Sequence, residues 1–346
     1  MAHMDIFQQK AFGMVELSTA VQRAPYRPRM LGSLNLFAPK RVRTTTVSVE
    51  RKGGTLSLIQ TSERGAPLDE GEREKRDIRD FRTVRIAKGH TLTASEIQNI
   101  RAFGQESELQ SVQNELADIM NGDTGLRASV ELTHENMRLG AIQGIVLDAD
   151  GSTLFNWFTA FGITQPAELD FDLDNASPAS GAVRKACNGV IRSMKRASEG
   201  AWIDGSTRCM GLCGDAFFDD LVAHPEVRQT YLNQAEASQL RNNVGAAFES
   251  LSYGGITFIN YRGTDDNSTV AVGTDKCKFF PVDAPGAFEV GFSPAEFLPF
   301  VNTPGQDVYA LVVPDKDRQA WVRPEVYSYP LFICTRPGML LRAKRT

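Results

Sequence analysis

The sequence lacks both a surplus of basic residues and any long apolar run. Its 346 residues include 38 Lys and Arg against 42 Asp and Glu, for a net charge of −4. This balance argues against a dedicated nucleic-acid-binding protein, which normally carries a basic surplus, although one local face could still be basic. No apolar stretch approaches the ~20 residues that a membrane span needs, and no signal-peptide pattern opens the chain. We therefore expect a protein that neither binds nucleic acid sequence-specifically nor enters a membrane.

Signatures of catalysis and of metal binding are also missing. None of the histidines, His3, His90, His134 and His224, lies in an HExxH motif or in a pair at helical spacing. The chain has no Walker loop, no Gly-x-Ser-x-Gly elbow and no Gly-x-Gly-x-x-Gly after a strand. Because catalytic groups can be dispersed along a chain, these absences weigh against an enzyme without excluding one. We expect no cofactor and no bound metal.

The cysteines do not form a disulfide framework. There are five of them, an odd number, at Cys187, Cys209, Cys213, Cys277 and Cys334. Cys209 and Cys213 are four residues apart, a spacing that fits neither a zinc knuckle nor a redox pair. We expect all five to be reduced and to pack as small hydrophobic residues in the core.

The most unusual stretch runs from Thr44 to His90. Alternating residues predict a strand over 44–50, and Gly53-Gly54 predicts a hairpin turn into a second strand over 55–59. Residues 63–80 then contain many charges and almost no apolar side chain, so burial cannot offset their ordering entropy. Two interpretations stay open: a solvated surface loop, or a projecting arm that neighbouring copies of the same chain hold in place.

The segment before this stretch poses a similar choice. Pro25 and Pro28 exclude a regular helix between residues 19 and 29. The apolar patch over residues 31–37 then follows in an otherwise extended segment. It either packs on its own domain or anchors the chain on another subunit.

Helical patterns follow the stretch. Thr93 and Glu96 have the spacing of a capping box. Apolar residues at steps of three and four, over residues 109–119 and again over 126–141, predict a long one-sided helix in two or three pieces. Ser177-Pro178 predicts the start of another helix, whose core stripe runs through Val183, Cys187, Val190 and Met194.

Acidic residues mark two further places. Asp150-Gly151 lies between apolar strands and predicts a tight hairpin turn, since the later ligands of a calcium loop are absent. Asp170, Asp172 and Asp174 alternate along the chain. Such carboxylates are typical of the solvated face of a strand, and they are also the groups that a divalent ion in a hydrolase would require.

The second half alternates between strand and helix patterns. Residues 209–213 predict a buried strand that ends at Gly214, followed by a helix that breaks at His224-Pro225. Further strands are predicted at 256–261, 309–313, 321–329 and 331–335.

Taken in order, these segments resemble the lambda-type major capsid protein family of tailed bacteriophages. The similarity is carried by Thr44-Thr45-Thr46-Val47-x-Val49-Glu50, by Gly144-x-Val146-x-Asp148-x-Asp150-Gly151, by Leu212-Cys213-Gly214-Asp215-x-Phe217-Phe218 with His224-Pro225, and by Arg336-Pro337-Gly338-Met339-Leu340-Leu341. No single motif is diagnostic, and their order and coverage make the resemblance specific.

The resemblance implies an α+β fold of the HK97-like capsid type. Residues 1–43 would form an N-terminal arm, 44–90 an extended hairpin loop, and 91–160 the spine helix with the first part of the peripheral domain. Residues 161–305 would form the axial domain. Residues 306–346 would return to the peripheral domain and the junction.

The resemblance also implies a function. Such a protein is a major capsid protein that self-assembles into hexamers and pentamers of an icosahedral head shell around double-stranded DNA. Scaffold, portal and decoration proteins would be partners, the virion would be the location, and assembly would occur in the host cytoplasm. We expect inter-subunit contacts at Leu36, Phe37, Glu63, Arg64, Asp69, Arg73 and Arg76. The alternatives are another virion component, such as a tail-tube or decoration protein, or a carboxylate-dependent hydrolase using Asp170, Asp172 or Asp174.

Overall fold

The computed structural model describes residues 26–53, 75–99, 116–232, 250–266, 270–318 and 320–346. Its helices are α1 (Met30–Ser33), α2 (Ala94–Asn99), α3 (Leu126–Gln143), α4 (Trp157–Ala160), α5 (Ala182–Arg196), α6 (Asp215–Ala223) and α7 (Pro225–Leu232). Its strands are β1 (Ala38–Arg41), β2 (Thr46–Gly53), β3 (Lys75–Arg82), β4 (Ile86–Gly89), β5 (Leu92–Thr93), β6 (Ile145–Leu147), β7 (Thr153–Asn156), β8 (Leu169–Asp170), β9 (Arg208–Cys213), β10 (Ser250–Tyr253), β11 (Ile256–Asn260), β12 (Lys276–Val282), β13 (Phe288–Phe292), β14 (Tyr309–Pro314), β15 (Trp321–Ser328), β16 (Pro330–Cys334) and β17 (Leu341–Lys344).

Helix α3 confirms the helix that the apolar periodicity over residues 126–141 predicted. Leu126, Val130, Met137 and Ala141 are buried along one side, as the apolar stripe predicted. The helix ends where Gly144 takes a φ of +82°, a conformation that costs a residue with a Cβ atom more than it costs glycine. A Cβ at Gly144 would also collide with the ring of Phe158. Both the backbone conformation and this close contact therefore favour glycine at the end of the helix. Residues 116–121 are helical as well, and residues 100–115 lie outside the described part of the chain.

The largest sheet of the described residues has six strands in the order β10-β11-β9-β12-β17-β8. Helices α5 and α6 cover one face of this sheet, where Val183 and Phe217 share a core cluster with Phe258 and Phe279. Helix α5 starts at Ala182, not at Ser177-Pro178 as predicted. The reason is Gly181, whose φ of +81° precludes a continuous helix through that position.

Two smaller sheets pack near α3. The three-stranded sheet has the order β1-β13-β16, and the four-stranded one has the order β14-β15-β4, with β5 also pairing with β15. Strand β1 runs parallel to β13, with Ala38 opposite Glu289. These pairings bring residues from both ends of the chain into one core.

The hairpin predictions had different outcomes. The turn at Asp150-Gly151 is confirmed, because β6 and β7 pair in antiparallel register across it. The predicted strand over 44–50 is confirmed by β2, which begins at Thr46. The predicted turn at Gly53-Gly54 is wrong for Gly53, which lies in a strand, while Gly54 and the predicted strand over 55–59 lie outside the described part. Strand β2 continues to Gly53 and pairs with β3, with Gly53 opposite Lys75. Part of the charged run is thus a strand, while residues 54–74 lie outside the described part.

The predicted α+β class is confirmed. The described elements also follow the order expected of an HK97-like capsid fold: an N-terminal segment, a long hairpin, a long helix, a helix-covered sheet, and C-terminal strands that return to the earlier ones. The last strand, β17, pairs with β12 and β8, so the chain ends in the six-stranded sheet.

Candidate functional site

Two surfaces are candidates for contact with other molecules. One is the arm segment, defined here as residues 26–37, which lies against α3. The other is the long hairpin, formed by β2 and β3. Both fall within the regions that the sequence singled out.

A buried carboxylate on α3 holds the arm segment. The Oε1 atom of Glu135 accepts a hydrogen bond from the backbone N–H of Leu31 at 2.7 Å, and Oε2 accepts one from Gly32 at 3.0 Å. Arg138 lies 3.3 Å from the same carboxylate, whose side chain is 1% exposed. Burial raises the pKa of Glu135, while the backbone donors and Arg138 oppose that shift. The carboxylate therefore acts as a two-pronged acceptor for the turn at Leu31-Gly32.

Charges flank this contact. Arg27 lies 3.5 Å from Asp123, and Arg29 lies 3.4 Å from Glu131, both pairs being at least partly exposed. The guanidinium of Arg262 lies 3.7 Å from the ring centroid of Tyr26. Exposed pairs of this kind contribute only about 0–1 kcal/mol each, so most of the attachment comes from Glu135 and from buried apolar contacts.

The predicted contact residues Leu36 and Phe37 lie in the core of their own chain. Phe37 is 9% exposed, and its ring packs against those of Phe288 and Phe332, at centroid distances of 5.2 and 5.3 Å. Leu36 is partly buried against the same cluster. Of the two interpretations of the apolar patch, packing on its own domain is therefore the one observed. The side chain of Phe37 is thus covered by its own chain, and its predicted contact with a neighbouring subunit stays a prediction.

The root of the long hairpin is packed firmly on the body. Val47 is fully buried, and Val49 is 6% exposed. Phe81, opposite Val47, meets the ring of Trp157 edge-on at a centroid distance of 5.2 Å. Arg79 donates a hydrogen bond to the carbonyl oxygen of Ala160. The alternation of β2 places these apolar groups on one face, as the sequence predicted.

The outer half of the hairpin is different. Ile78 is 63% exposed and faces Glu50, which is also exposed, across the ribbon. A two-stranded ribbon with one apolar side chain in water is marginally stable by itself. Of the predicted contact residues, Arg76 lies in β3 opposite Lys52, and Glu63, Arg64, Asp69 and Arg73 lie outside the described residues.

The acidic residues do not form a catalytic cluster. Asp170 lies 3.2 Å from Lys344, and Asp172 accepts a hydrogen bond from Asn175 at 2.8 Å. The backbone N–H of Asp172 and the Lys344 ammonium lower the pKa of Asp170. Within the described ranges no group of three His, Cys, Asp or Glu side chains could hold a metal ion. A surface cavity of about 480 Å³ is lined by Lys88, His90, Asp118 and Asp123, and none of the three alternating aspartates lines it.

The cysteines, the capping box and His224 are found where the sequence predicted them. All five cysteines are free and buried, as predicted. Thr93 and Glu96 form the capping box, with the N–H of Thr93 donating to Glu96 at 2.7 Å. His224 lies at the break between α6 and α7, as predicted. No helix in the described ranges is both long and apolar enough to cross a bilayer.

Sequence reasoning missed Glu135 and Gly291. Glu135 adjoins the apolar stripe of α3, and a charged residue beside a buried stripe is a detectable signal. Gly291 lies in β13, where it makes room for Val47 at the root of the hairpin. Nothing in the local sequence marks that role, because its partner lies in a strand far away along the chain.

Comparison with known proteins identifies sequence relatives that align along almost the whole chain. Residues 13–345 match the family described as Phage major capsid protein E. The chain is 25% identical to the major capsid protein of Salmonella phage Felix O1 (isolate Felix O1-VT1), an alignment that covers 96% of each chain. It is also 25% identical to the major capsid protein of Pseudomonas phage KPP10, over 87% of this chain and 88% of that one.

Solved structures are more distant. One from Mycobacterium phage Bobi is 11% identical, covers 96% of this chain and 98% of its own, and has a TM-score of 0.49. A virus-like particle from Pyrococcus furiosus is 10% identical, covers 96% and 99% of the two chains, and has a TM-score of 0.42. Family membership therefore rests on the sequence match, which spans nearly every residue. The chain belongs to the family of phage major capsid protein E.

Proposed function

We propose that this chain is the subunit of an icosahedral phage head, assembling as hexamers and pentamers around double-stranded DNA. The observation that carries the proposal is the family match over residues 13–345, together with two relatives named major capsid protein that align along most of their length. Family membership indicates a structural role, not catalysis.

The long hairpin supports the same proposal physically. Its root is fixed to the body through Val47 and Val49, and its outer half leaves Ile78 in water. A ribbon that is anchored at one end and incomplete at the other fits a lattice, where a neighbouring subunit covers the exposed part. We propose that Glu63, Arg64, Asp69, Arg73 and Arg76 make contacts between subunits. Because such contacts are exposed ion pairs, they are weak singly, are multiplied by symmetry, and weaken in salt.

Leu36 and Phe37 take a different part in this proposal. Since both pack against their own core, we assign them the anchoring of the arm segment, and any contact of theirs with a neighbour is secondary.

The proposed layout keeps the boundaries expected from the sequence. The arm is 1–43, the extended loop 44–90, the spine helix with the first part of the peripheral domain 91–160, the axial domain 161–305, and the C-terminal return 306–346. The six-stranded sheet supports an axial unit with α5 and α6 on one face. Strand β17 joins the C-terminal return to that sheet by pairing with β12, which supports a junction there.

The proposed partners are further copies of the chain, with scaffold, portal and decoration proteins during assembly. The net charge of −4 suits a shell that encloses DNA without binding it tightly. We place the mature protein in the virion and its assembly in the host cytoplasm.

Electron microscopy tests the proposed function. The purified full chain, or the chain expressed with the scaffold of its phage, is imaged after negative staining. Closed icosahedral shells are expected. Open tubes, stacked rings or a population of monomers that never closes under either condition would contradict it, and tubes would point to a tail component.

A further inference from the structure

Cys213 and Cys277 lie opposite each other at the centre of the six-stranded sheet. Cys213 ends β9 and Cys277 is the second residue of β12, and the two are directly paired in antiparallel register. Their sulfur atoms are 3.3 Å apart, and both residues are completely buried.

The hydrogen bonds around the pair define its geometry. The N–H of Gly214 donates to the carbonyl oxygen of Lys276 at 2.9 Å, which makes the neighbouring pair a hydrogen-bonded one. Cys213 and Cys277 are therefore a non-hydrogen-bonded pair, in which the Cα atoms approach to about 4.5 Å. A disulfide needs Cα atoms separated by roughly 4.4–6.8 Å. The backbone thus already holds the two thiols within bonding reach.

The other cysteines are not placed in this way. Cys209 lies opposite Pro281 in the same strand pair, and Cys334 lies opposite Phe288 in a different sheet. Cys187 lies on α5. Only the pair at the end of β9 combines direct opposition with contact between sulfur atoms in the described residues.

We propose that Cys213 and Cys277 are a dithiol that is oxidised to a cross-strand disulfide once the particle leaves the reducing interior of the host. The inference rests on the proposed function, because a released virion passes from a reducing to an oxidising medium. The bridge would join the two central strands of the sheet and close a loop containing α6, α7, β10 and β11. It would thereby stabilise the sheet against unfolding.

The reaction is thiol–disulfide exchange with a low-molecular-weight disulfide. The thiolate of one cysteine attacks that disulfide, forms a mixed disulfide and releases one small thiol. The second protein thiolate then attacks the sulfur of the first cysteine, forms the Cys213–Cys277 bond and releases the other small thiol. Two protein thiols lose two electrons, and the small disulfide gains them together with the two protons. Burial raises the pKa of the Cys277 thiol, so exchange proceeds only while the sheet opens and is slow.

Mass spectrometry of assembled particles tests the inference. Particles purified in a reducing buffer are incubated with oxidised glutathione, with and without urea below the disassembly midpoint to let the sheet open. The samples are then denatured, alkylated with N-ethylmaleimide and digested. The expected product is one linked peptide pair joining Cys213 to Cys277, with Cys187, Cys209 and Cys334 alkylated. Five alkylated cysteines after both treatments, or a bridge at any other pair, would overturn it.

Thermal disassembly supplies a second measurement with matched variants. Oxidation should raise the midpoint temperature of disassembly of the natural sequence and of Cys334→Ala by on the order of 5 °C. It should leave the midpoint temperatures of Cys213→Ala and Cys277→Ala unchanged. An equal rise in Cys213→Ala and Cys277→Ala would also overturn the proposed bridge. Micrographs of the same samples report on shell formation independently. A Cys213–Cys277 linkage in a sample without shells would therefore uphold the bridge and count against the proposed function.

Discussion

The Cγ2 atom of Val47 fills the space where a side chain of Gly291 would begin. A Cβ atom built at Gly291 would lie 2.5 Å from that Cγ2 atom, closer than two carbon atoms can approach. Val47 is the fully buried residue of β2 at the root of the long hairpin. The packing of the hairpin root against the body therefore requires a glycine at this position of β13.

Replacing this glycine should loosen the root of the hairpin. We expect Gly291→Ala to lower the free energy of unfolding of the subunit by about 1–3 kcal/mol, because overpacking moves Val47 or the backbone of β13. Urea denaturation of the unassembled subunit measures the loss. The matched control is Gly189→Ala in α5, where a Cβ meets no atom within 4 Å. This control should leave the unfolding free energy unchanged or raise it by up to about 1 kcal/mol. Equal destabilisation by Gly291→Ala and Gly189→Ala would contradict the contact between Gly291 and Val47 as the cause.

The carboxylate that holds the arm segment can be tested by an isosteric change. Glu135→Gln keeps the shape but replaces one acceptor oxygen with an NH2 group, which would face the N–H of Leu31 or Gly32. We expect a loss of about 1–3 kcal/mol in unfolding free energy and faster hydrogen exchange at those two amides, measured by mass spectrometry. Glu131→Gln is the control, since it removes only ion pairs that are at least partly exposed, worth about 0–1 kcal/mol each. Unchanged exchange at Leu31 and Gly32 in Glu135→Gln would rule out the two-pronged contact.

A buried histidine should make the subunit sensitive to acid. Ser328 donates its hydroxyl proton to the carbonyl of Asp307, so the Nε2–H of His134 donates to Ser328 Oγ, at 2.9 Å. Burial, with the charge of Arg138, lowers the pKa of His134 from 6.5 to about 3. The unfolded chain therefore binds the proton first, and stability is lost as pH falls from about 6.5 towards 3.

We expect this group to cost about 2 kcal/mol of unfolding free energy between pH 7 and pH 5, at about 1.4 kcal/mol per pH unit below its ordinary pKa. Urea midpoints at the two pH values measure the slope. His134→Gln should remove this contribution to the pH dependence of the urea midpoint. The control His90→Gln, at an exposed histidine, should keep the pH dependence of the natural sequence. The same slope in His134→Gln and the natural sequence would show that the acid sensitivity arises elsewhere.

Charge reversal in the loop tests the contacts between subunits. We expect Arg64→Glu combined with Arg73→Glu to reduce the yield of closed shells several-fold while leaving the circular dichroism and urea midpoint of the subunit unchanged, because in the proposed function these charges act between copies. The control is Lys185→Glu combined with Arg192→Glu, which changes the net charge by the same amount at exposed positions of α5. Shell yield is measured by sedimentation and microscopy. Normal shells from the loop variant would remove the proposed role of these residues.

Local sequence chemistry predicted several elements correctly. The apolar steps of α3, the capping box at Thr93 and Glu96, and the turn at Asp150-Gly151 depend on residues within a few positions of one another. In each case the interacting groups are close along the chain, so their spacing alone carries the information. The family resemblance drew on the same local motifs, taken in order.

The errors occurred where a neighbour in space is distant along the chain. Gly53-Gly54 has the composition of a tight turn, yet β2 continues through Gly53 and pairs with residues 75–82. Ser177-Pro178 has the composition of a helix start, and Gly181 places the start at Ala182. Composition permits a turn or a cap at such positions, and competing pairings and backbone conformations decide whether it forms.

The sequence by itself determined the α+β class, the periodic helix α3, the family and the burial of the cysteines, because hydrophobic periodicity and motif order are written in adjacent residues. Only the tertiary structure decided that Glu135 holds the arm segment, that Gly291 gives way to Val47, and that Cys213 faces Cys277. Each of these relationships joins groups far apart in the chain. They exist only after folding has set the register between strands and has placed the arm segment against α3.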